Sequence, residues 1–314
     1  MQRDHLETIA RFKKTVIPHP QYVSAFEQIV QAYELNEQVG FQQNLICIGV
    51  SGTGKSTLKR KFYDQYPVIQ TELGKRIPVL VIDTPSIPTV KNMAEAVLLQ
   101  LGDPNFNKGS AIEKTGRILN YMKACEVKLV IIDELQHFID QGNKAAPRQV
   151  SDWLKSLIDN SGASTVLMGL KRSEHILEIN EQLRRRFSRR VDLKPFSIAN
   201  QESFWDFFRV IKALDSVLML PQPLELSEDL VHRFHCATNG VIGYAVNLII
   251  SAYQVAVRKK QDGLNLQCLE QAFTESIWLD GTGCSNPFNP SFKEKSLTKF
   301  WEPFNSLPMT ECEK

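Results

Sequence analysis

Eight consecutive residues, Gly49-Val50-Ser51-Gly52-Thr53-Gly54-Lys55-Ser56, carry the spacing that a phosphate-binding loop needs. Glycines let the backbone curl so that its N–H groups face inward, and a helix that follows adds partial positive charge at its N-terminus. In that setting Lys55 is expected to reach the β- and γ-phosphates of ATP, and the Ser56 hydroxyl to ligate Mg²⁺. The backbone from Gly49 to Thr57 is expected to line the nucleotide. An ordinary Gly-rich turn would not fill every fixed position of the pattern between a strand and a helix. A second group stands downstream, where the apolar run Lys128-Leu129-Val130-Ile131-Ile132 ends in Asp133 and Glu134. Asp133 is expected to hold Mg²⁺, directly or through water, and Glu134 to polarise the attacking water as general base. A strand that simply ends in solvent could also end in acids, but the pairing with a phosphate loop favours the catalytic reading.

These groups need elements to position them. Leu45-Ile46-Cys47-Ile48 reads as a buried strand and Thr57-Leu58-Lys59-Arg60-Lys61-Phe62 as the start of a helix. Continuous aliphatic runs suit parallel strands covered on both faces, and ligands bind at the carboxyl ends of such strands. Strands are expected at 45–49, 78–82, 128–132, 165–169 and 191–193, with helices between them. The fold class is therefore α/β, a five-stranded parallel sheet flanked by helices. Residues 45–195 form this core. Residues 1–44 read as an N-terminal arm whose Tyr22, Phe26, Ile29, Val30 and Tyr33 recur at helical spacing, a helix expected to pack beside the phosphate loop. Residues 196–278 read as a small helical lid, with Phe204, Phe207, Phe208, Ile211 and Leu214 on one apolar stripe. Residues 279–314 change character: glycines and prolines, Pro308 among them, preclude long regular structure, yet Trp278, Phe288, Phe292, Phe300, Trp301 and Phe304 are too apolar for an inert linker. Two readings stay open for this tail: a peptide that docks on a partner, or one that folds back on its own chain. On the first, deleting 285–314 would leave folding intact.

Composition narrows the class. With 314 residues, 43% hydrophobic and 23% charged, the chain can bury a substantial core and is not generally disordered. No apolar run reaches membrane-spanning length, and Met1 to Lys14 is too charged for a signal peptide. Cys47, Cys125, Cys236, Cys268, Cys284 and Cys312 show no C-x-x-C pairing, which points to reduced thiols and a cytoplasmic setting rather than a zinc site. The net charge of +2 is silent about nucleic acid, so any such binding must come from a local patch.

One local patch is conspicuous. Arg184, Arg185, Arg186, Arg189 and Arg190 lie within seven positions, around Phe187. Three readings compete: a solvated face, a nucleic-acid patch, or an arginine that reaches the γ-phosphate on a neighbouring subunit. The place of the run, between the fourth and fifth strands, favours the third for at least one residue.

Together, the phosphate loop, the Asp-Glu end of the third strand, the Arg-Phe box and the helical lid resemble an AAA+ ATPase. Within that superfamily the chain resembles the TniB/TnsC transposition regulators, relatives of MuB. The resemblance rests on Val130-Ile131-Ile132-Asp133-Glu134, Met168-Gly169-Leu170-Lys171-Arg172, Glu181-Gln182-Leu183-Arg184-Arg185-Arg186-Phe187 and Thr238-Asn239-Gly240-Val241-Ile242-Gly243-Tyr244, and it covers most of residues 10–278. It implies a protein that binds ATP, assembles as a homo-oligomeric ring or filament on double-stranded DNA, and links a TniQ-like target selector to the transposase, with hydrolysis resetting the assembly. It also implies that Arg186 is the arginine finger and that Lys91 and Ser110 touch the DNA backbone. Two departures stand out. Leu170 follows Gly169 where a polar γ-phosphate sensor is usual, leaving Lys171 as a substitute, and Tyr244 stands where many lids carry an arginine. Both imply slow or partner-stimulated hydrolysis. The alternative is an AAA+ remodeller or helicase-loader-like ATPase acting on a protein, and a further one is a signalling switch without DNA.

Overall fold

The computed structural model describes residues 2–72, 74–140 and 145–305. The chain divides into two compact units, Gln21–Leu193 and Met1–Pro20 with Lys194–Lys314. Helix α1 (Gln2–Lys14) belongs to the second unit, whereas α2 (Pro20–Val39) runs almost wholly in the first. The N-terminal arm is thus two elements with different allegiances.

The first unit continues with β1 (Leu45–Gly49), α3 (Lys55–Gln65), an antiparallel hairpin of β2 (Ile69–Thr71) and β3 (Gly74–Arg76), and β4 (Val79–Asp83). Then come α4 (Val90–Leu101), α5 (Ala111–Ala124), β5 (Leu129–Asp133), α6 (His137–Asp140) and α7 (Ala145–Ser161). Strand β6 (Ser164–Gly169), α8 (His175–Ile179), α9 (Glu181–Arg186) and β7 (Arg189–Leu193) complete it. The sheet order is β4-β5-β6-β1-β7, and every pair in it is parallel. The five expected strands are all present, the first with the expected bounds and the others with an end shifted by at most two residues. The short β2–β3 hairpin is an addition that strands of three residues, none of them buried, do not announce in a sequence.

Every residue of β1, β5 and β6 is buried, which is why β1 and β5 read as continuous apolar runs instead of alternating ones. On one face Ile46, Ile48, Val130 and Ile132 pack with Met93 and Leu98 of α4, Ile118 of α5 and Leu154 of α7. Helix α2 is tied to the start of β6, where the Ser164 hydroxyl donates to Ala32 O at 2.9 Å and Asn36 Nδ2 to Gly162 O at 2.8 Å. Its aromatic stripe meets α3: Phe26 lies 5.7 Å and Tyr33 6.2 Å from the ring of Phe62. The helix that opens at the phosphate loop is therefore braced from behind by α2.

Helices α4 and α5 run in the same direction. Gly102, at the end of α4, lies against the Lys75 ammonium on β3, and the Ile77 N–H donates to Cys125 O at 2.8 Å just past α5. Both places precede β4, at the amino edge of the sheet. Both helices therefore begin at the carboxyl edge, and the segment 102–110 runs back between them.

The second unit packs α1 with α10 (Gln201–Leu218), α11 (Glu228–Thr238), α12 (Ile242–Arg258) and α13 (Leu266–Ser276). Asn200, Ser227 and Asn265 cap α10, α11 and α13 by accepting N–H bonds from Ser203, Leu230 and Cys268. Phe207, Ile211 and Leu214 face Phe234, Leu248 and Phe273 in one core, to which α1 adds Phe12. Among the described residues no single helix is long and apolar enough to cross a membrane. Cys47, Cys125, Cys236 and Cys268 are buried free thiols and Cys284 is exposed, while Cys312 and Pro308 lie outside the described residues. Burial raises the Cys47 thiol to about 12, so it stays protonated inside β1.

The helical unit does not stop at 278. Phe288 is 1% exposed, and its ring stands 5.2 Å from Phe234 and 6.5 Å from Phe273; Phe292 and Leu297 are buried in the same core. Gly and Pro do keep this stretch irregular, but side chains replace the missing backbone ladder. Asn286 Nδ2 donates to Glu270 O and Gly281 O, both at 2.9 Å, and Arg233 donates to Pro287 O at 2.7 Å. The tail thus folds back on its own helices through Leu297, while Phe300 and Trp301 stay 70% and 80% exposed. The expectation that the tail can be removed without harm is reversed. Each large buried side chain lost costs about 3–5 kcal/mol. Deleting 285–314 should therefore lower the thermal melt of the helical unit sharply or yield insoluble protein, whereas Trp301→Ala should leave the melt unchanged. An unaltered circular-dichroism melt of the truncated chain would show that the tail contributes nothing to this core.

Candidate nucleotide site

The phosphate loop lies at the carboxyl end of β1, next to β6 and β7. Gly49 permits no side chain: a Cβ there would meet Leu193 O at 2.4 Å and Thr53 Oγ1 at 2.6 Å. Gly52 and Gly54 adopt φ of 81° and 101°, which turn the loop back on itself. Thr53 is buried, and its hydroxyl donates to Val50 O at 2.9 Å across the turn. Helix α3 starts from Gly54 with no side-chain cap, so the first-turn N–H groups, those of Ser56 and Thr57 among them, have no side chain to bond. A Cβ on Gly54 would meet nothing within 4 Å, so the cradle faces open space. Ser51 and Ser56 are exposed beside it.

Lys55 folds over this loop. Its Nζ donates to Gly49 O at 2.7 Å and Val50 O at 2.9 Å. An ammonium has three donors, so one remains for an anion in the cradle. Burial pulls the Lys55 pKa below its ordinary value, while the Asp133 and Glu134 carboxylates pull the other way.

Asp133 and Glu134 end β5, with β6 between them and the loop; two strand spacings are about 10 Å. Asp133 is buried, and its Oδ1 accepts the Glu134 N–H at 2.8 Å. Its Oδ2 lies 2.7 Å from Lys59 Nζ, which also pairs with Asp83 at 2.6 Å. Burial works against the charged Lys59, and the bonds and charges of Asp133 and Asp83 outweigh it, raising its pKa. Lys59 is a site residue that sequence reasoning missed. The signal was its i+4 spacing from Lys55, which puts both lysines on one face of α3. Both Asp133 oxygens thus already hold a partner within the protein. That suits water-mediated contact with Mg²⁺, which usually keeps several of its waters. With the exposed Ser56 hydroxyl and the open cradle, the residues fit Mg²⁺ and a nucleoside triphosphate.

Glu134 is half-buried and adopts φ 60°, in the left-handed region, which costs a non-glycine residue about 1–2 kcal/mol. Neighbours hold it there. The Leu135 N–H donates to Met168 O at 3.1 Å, and His137 Nδ1 lies 2.9 Å from Thr84 O, so the turn is fastened to both adjacent strands. The Thr84 hydroxyl donates to Asp133 O at 2.7 Å.

The structure does not leave Arg186 free. Its guanidinium makes a fork with the Asp159 carboxylate on α7, at 2.6 and 2.8 Å, and donates to Gln182 O at 3.0 Å. Arg185 pairs with Glu181 at 2.7 Å and Arg190 with Glu174 at 2.7 Å, and Arg189 bonds Gln31 at 3.0 Å. Most of the basic run is therefore neutralised within its own chain. Arg184 is exposed and has no ion-pair partner among the described residues.

Lys91 and Ser110 open α4 and α5 at the carboxyl edge, the same edge as the phosphate loop. Both are exposed. Thr89 caps α4, and Ser110 caps α5 in a reciprocal box with Glu113. Ser110 thus has a structural job that leaves its hydroxyl proton available. The polar loop before it is held from inside: Lys114, fully buried, pairs with Glu95 at 2.5 Å and donates to Phe106 O at 3.1 Å. Arg117 pairs with Asp103 at 3.1 Å and donates to Lys108 O at 3.0 Å. Tyr244, in the helical unit, packs edge-on against Phe304 at 5.2 Å.

Comparison with solved structures shows the AAA+ fold. The Aeropyrum pernix ORC2 protein, in its ADPNP–ADP complexes, is similar with a TM-score of 0.60 and 13% identity, over 80% of this chain and 67% of that one. The Aeropyrum pernix ORC1 protein in complex with DNA has a TM-score of 0.60 and 13% identity, over 83% and 66%. Cdc6p from Pyrobaculum aerophilum has 0.59 and 13%, over 85% and 70%. The chain thus spans about two thirds of the length of each. No curated protein sequence matches it. The model of the bacterial TniB protein matches residues 9–197, more than half of the chain, and with the AAA+ sheet and the phosphate loop already in place, this chain belongs to the TniB family.

Proposed function

We propose that this protein is an ATP-hydrolysing regulator of DNA transposition that assembles on double-stranded target DNA and links a TniQ-like selector to the transposase. The observation that carries the reading is the open phosphate cradle with Asp133 and Glu134 beside it, in a chain of the TniB family. The loop N–H groups of Gly49 to Thr57 and the third Lys55 donor hold the phosphates. The Ser56 hydroxyl and, through water, Asp133 hold Mg²⁺. When bound, Mg²⁺–ATP supplies the bond to be cleaved and a cation that offsets phosphate charge. Glu134 takes a proton from the attacking water. Arg186 acts on the site of a neighbouring copy, exchanging Asp159 for phosphate oxygens as the homo-oligomer forms. That exchange, with the apolar Leu170 and with Tyr244 in place of an arginine, gives slow or partner-stimulated turnover in the cytoplasm. Phe300 and Trp301, exposed beyond the buried part of the tail, are the aromatics left for the transposase.

Lys91 and Ser110 contact the DNA backbone from the carboxyl edge, where two helix N-termini add to the attraction for phosphate. Affinity for duplex DNA should then fall steeply with salt and depend little on sequence. Lys91→Ala should weaken binding on every duplex alike and flatten the salt slope by about one unit per lost contact. Fluorescence anisotropy with ATP at several salt concentrations measures both. The pairing of Arg185, Arg186 and Arg190 with carboxylates of their own chain favours a second reading, a remodeller or helicase-loader-like ATPase acting on a protein, because it offsets much of the charge of the arginine run. A duplex affinity that does not change with salt, or no ATP-dependent assembly on DNA by electron microscopy, would select that second reading.

A further inference from the structure

The turn after β5 contains a side chain that the phosphate loop and the acid pair do not account for. Gln136 is 8% exposed, and both ends of its amide are engaged. Its Nε2 donates to Glu134 Oε2, and its Oε1 accepts the Leu170 N–H at 3.3 Å. The orientation is set by its partners. Turned over, the amide would present oxygen to a carboxylate and N–H to an N–H. Leu170 follows β6 at the place where the sequence offers no polar sensor side chain. A backbone N–H does not need one. The two turns are also in close contact there, since a Cβ on Gly169 would meet Leu135 Cβ at 3.1 Å and Ser173 Oγ at 2.4 Å.

We propose that Gln136 is the positioning residue for Glu134. It holds one carboxylate oxygen, leaves the other to accept a proton from water, and ties the base to the main chain at the end of β6. Movement of the Leu170 segment is thereby transmitted to Glu134 through one amide, in place of a polar sensor side chain. This rests on the reading of Glu134 as general base.

The test uses the full chain with duplex DNA. Gln136→Met keeps the volume and removes both bonds. It should lower kcat for ATP by about tenfold to a hundredfold, the scale of a misplaced reacting group. KM, the affinity for a fluorescent ATP analogue and the thermal melt should stay near wild type. Gln136→His, which can still donate and accept, should recover part of the loss. In a Glu134→Gln background, Gln136→Met should cause no further fall in the single-turnover rate, because it acts through Glu134. A wild-type or faster kcat for Gln136→Met overturns the proposal, as does an equal fall in the Glu134→Gln background. If Gln136→Met melts early, a Gln136→His enzyme that is stable yet as slow as Glu134→Gln also overturns it. Wild-type turnover by Glu134→Gln itself would instead sink the general-base reading, and this inference with it.

Discussion

Glu134→Gln is expected to bind ATP, assemble, and stay assembled, while hydrolysing about 10²–10⁴-fold more slowly. The substitution keeps the size of the side chain and can still accept from Gln136, but an amide takes no proton from water. The left-handed backbone at φ 60° is held by the Leu135 bond to Met168 and by Thr84 on Asp133, neither of which uses the Glu134 side chain. The fold should therefore survive, and filaments on DNA should outlast those of the wild type. Lys55→Ala is the contrasting variant. It removes the donor aimed at the phosphates together with the two bonds that brace Gly49 and Val50. It should show no measurable nucleotide binding and no ATP-dependent assembly. Isothermal titration separates the two variants, and a phosphate-release assay ranks their rates. Turnover by Glu134→Gln at the wild-type rate would remove Glu134 from the catalytic role.

Arg186→Ala is expected to bind ATP as a free subunit and to lose hydrolysis by about 10³-fold or more, the scale of an arginine finger. The residue meets Asp159 in its own chain, and on the proposed reading it exchanges that partner for the phosphate of another copy. Mixing Arg186→Ala with Lys55→Ala should restore part of the activity. Some interfaces in the mixture pair an intact phosphate loop with an intact arginine, which neither variant can do alone. A readout at several mixing ratios distinguishes this rescue from residual wild-type rate. The variant also strands Asp159, one-third exposed, without its fork, so the melt must be checked and should move little. Normal hydrolysis by Arg186→Ala would shift the role to Arg184, which is exposed and has no ion-pair partner among the described residues, or to Arg185.

The sequence by itself determined the sheet and the cradle, because both are written in short stretches of chain. A phosphate loop needs glycine, lysine and serine at fixed spacing within eight residues, and a buried parallel strand shows as a mostly apolar run of about five. Asp133 and Glu134 were legible for the same reason, being the last residue of such a run and its successor. What only the tertiary structure decided depends on residues far apart in sequence. Lys59 reaches Asp83 and Asp133 because β4 and β5 pair in register there. Gln136 joins Glu134 to Leu170 because β6 lies beside β5. Asp159 claims Arg186, and nothing local to either residue says so. The arm divided between two units because α1 and α2, each amphipathic, found different cores. The sequence left the fate of the tail open because glycine and proline remove regular hydrogen bonds while its aromatics ask for burial. Asn286, Arg233 and the Phe234–Phe273 pocket supply the bonds and burial instead, and that compensation exists only once the helices have come together.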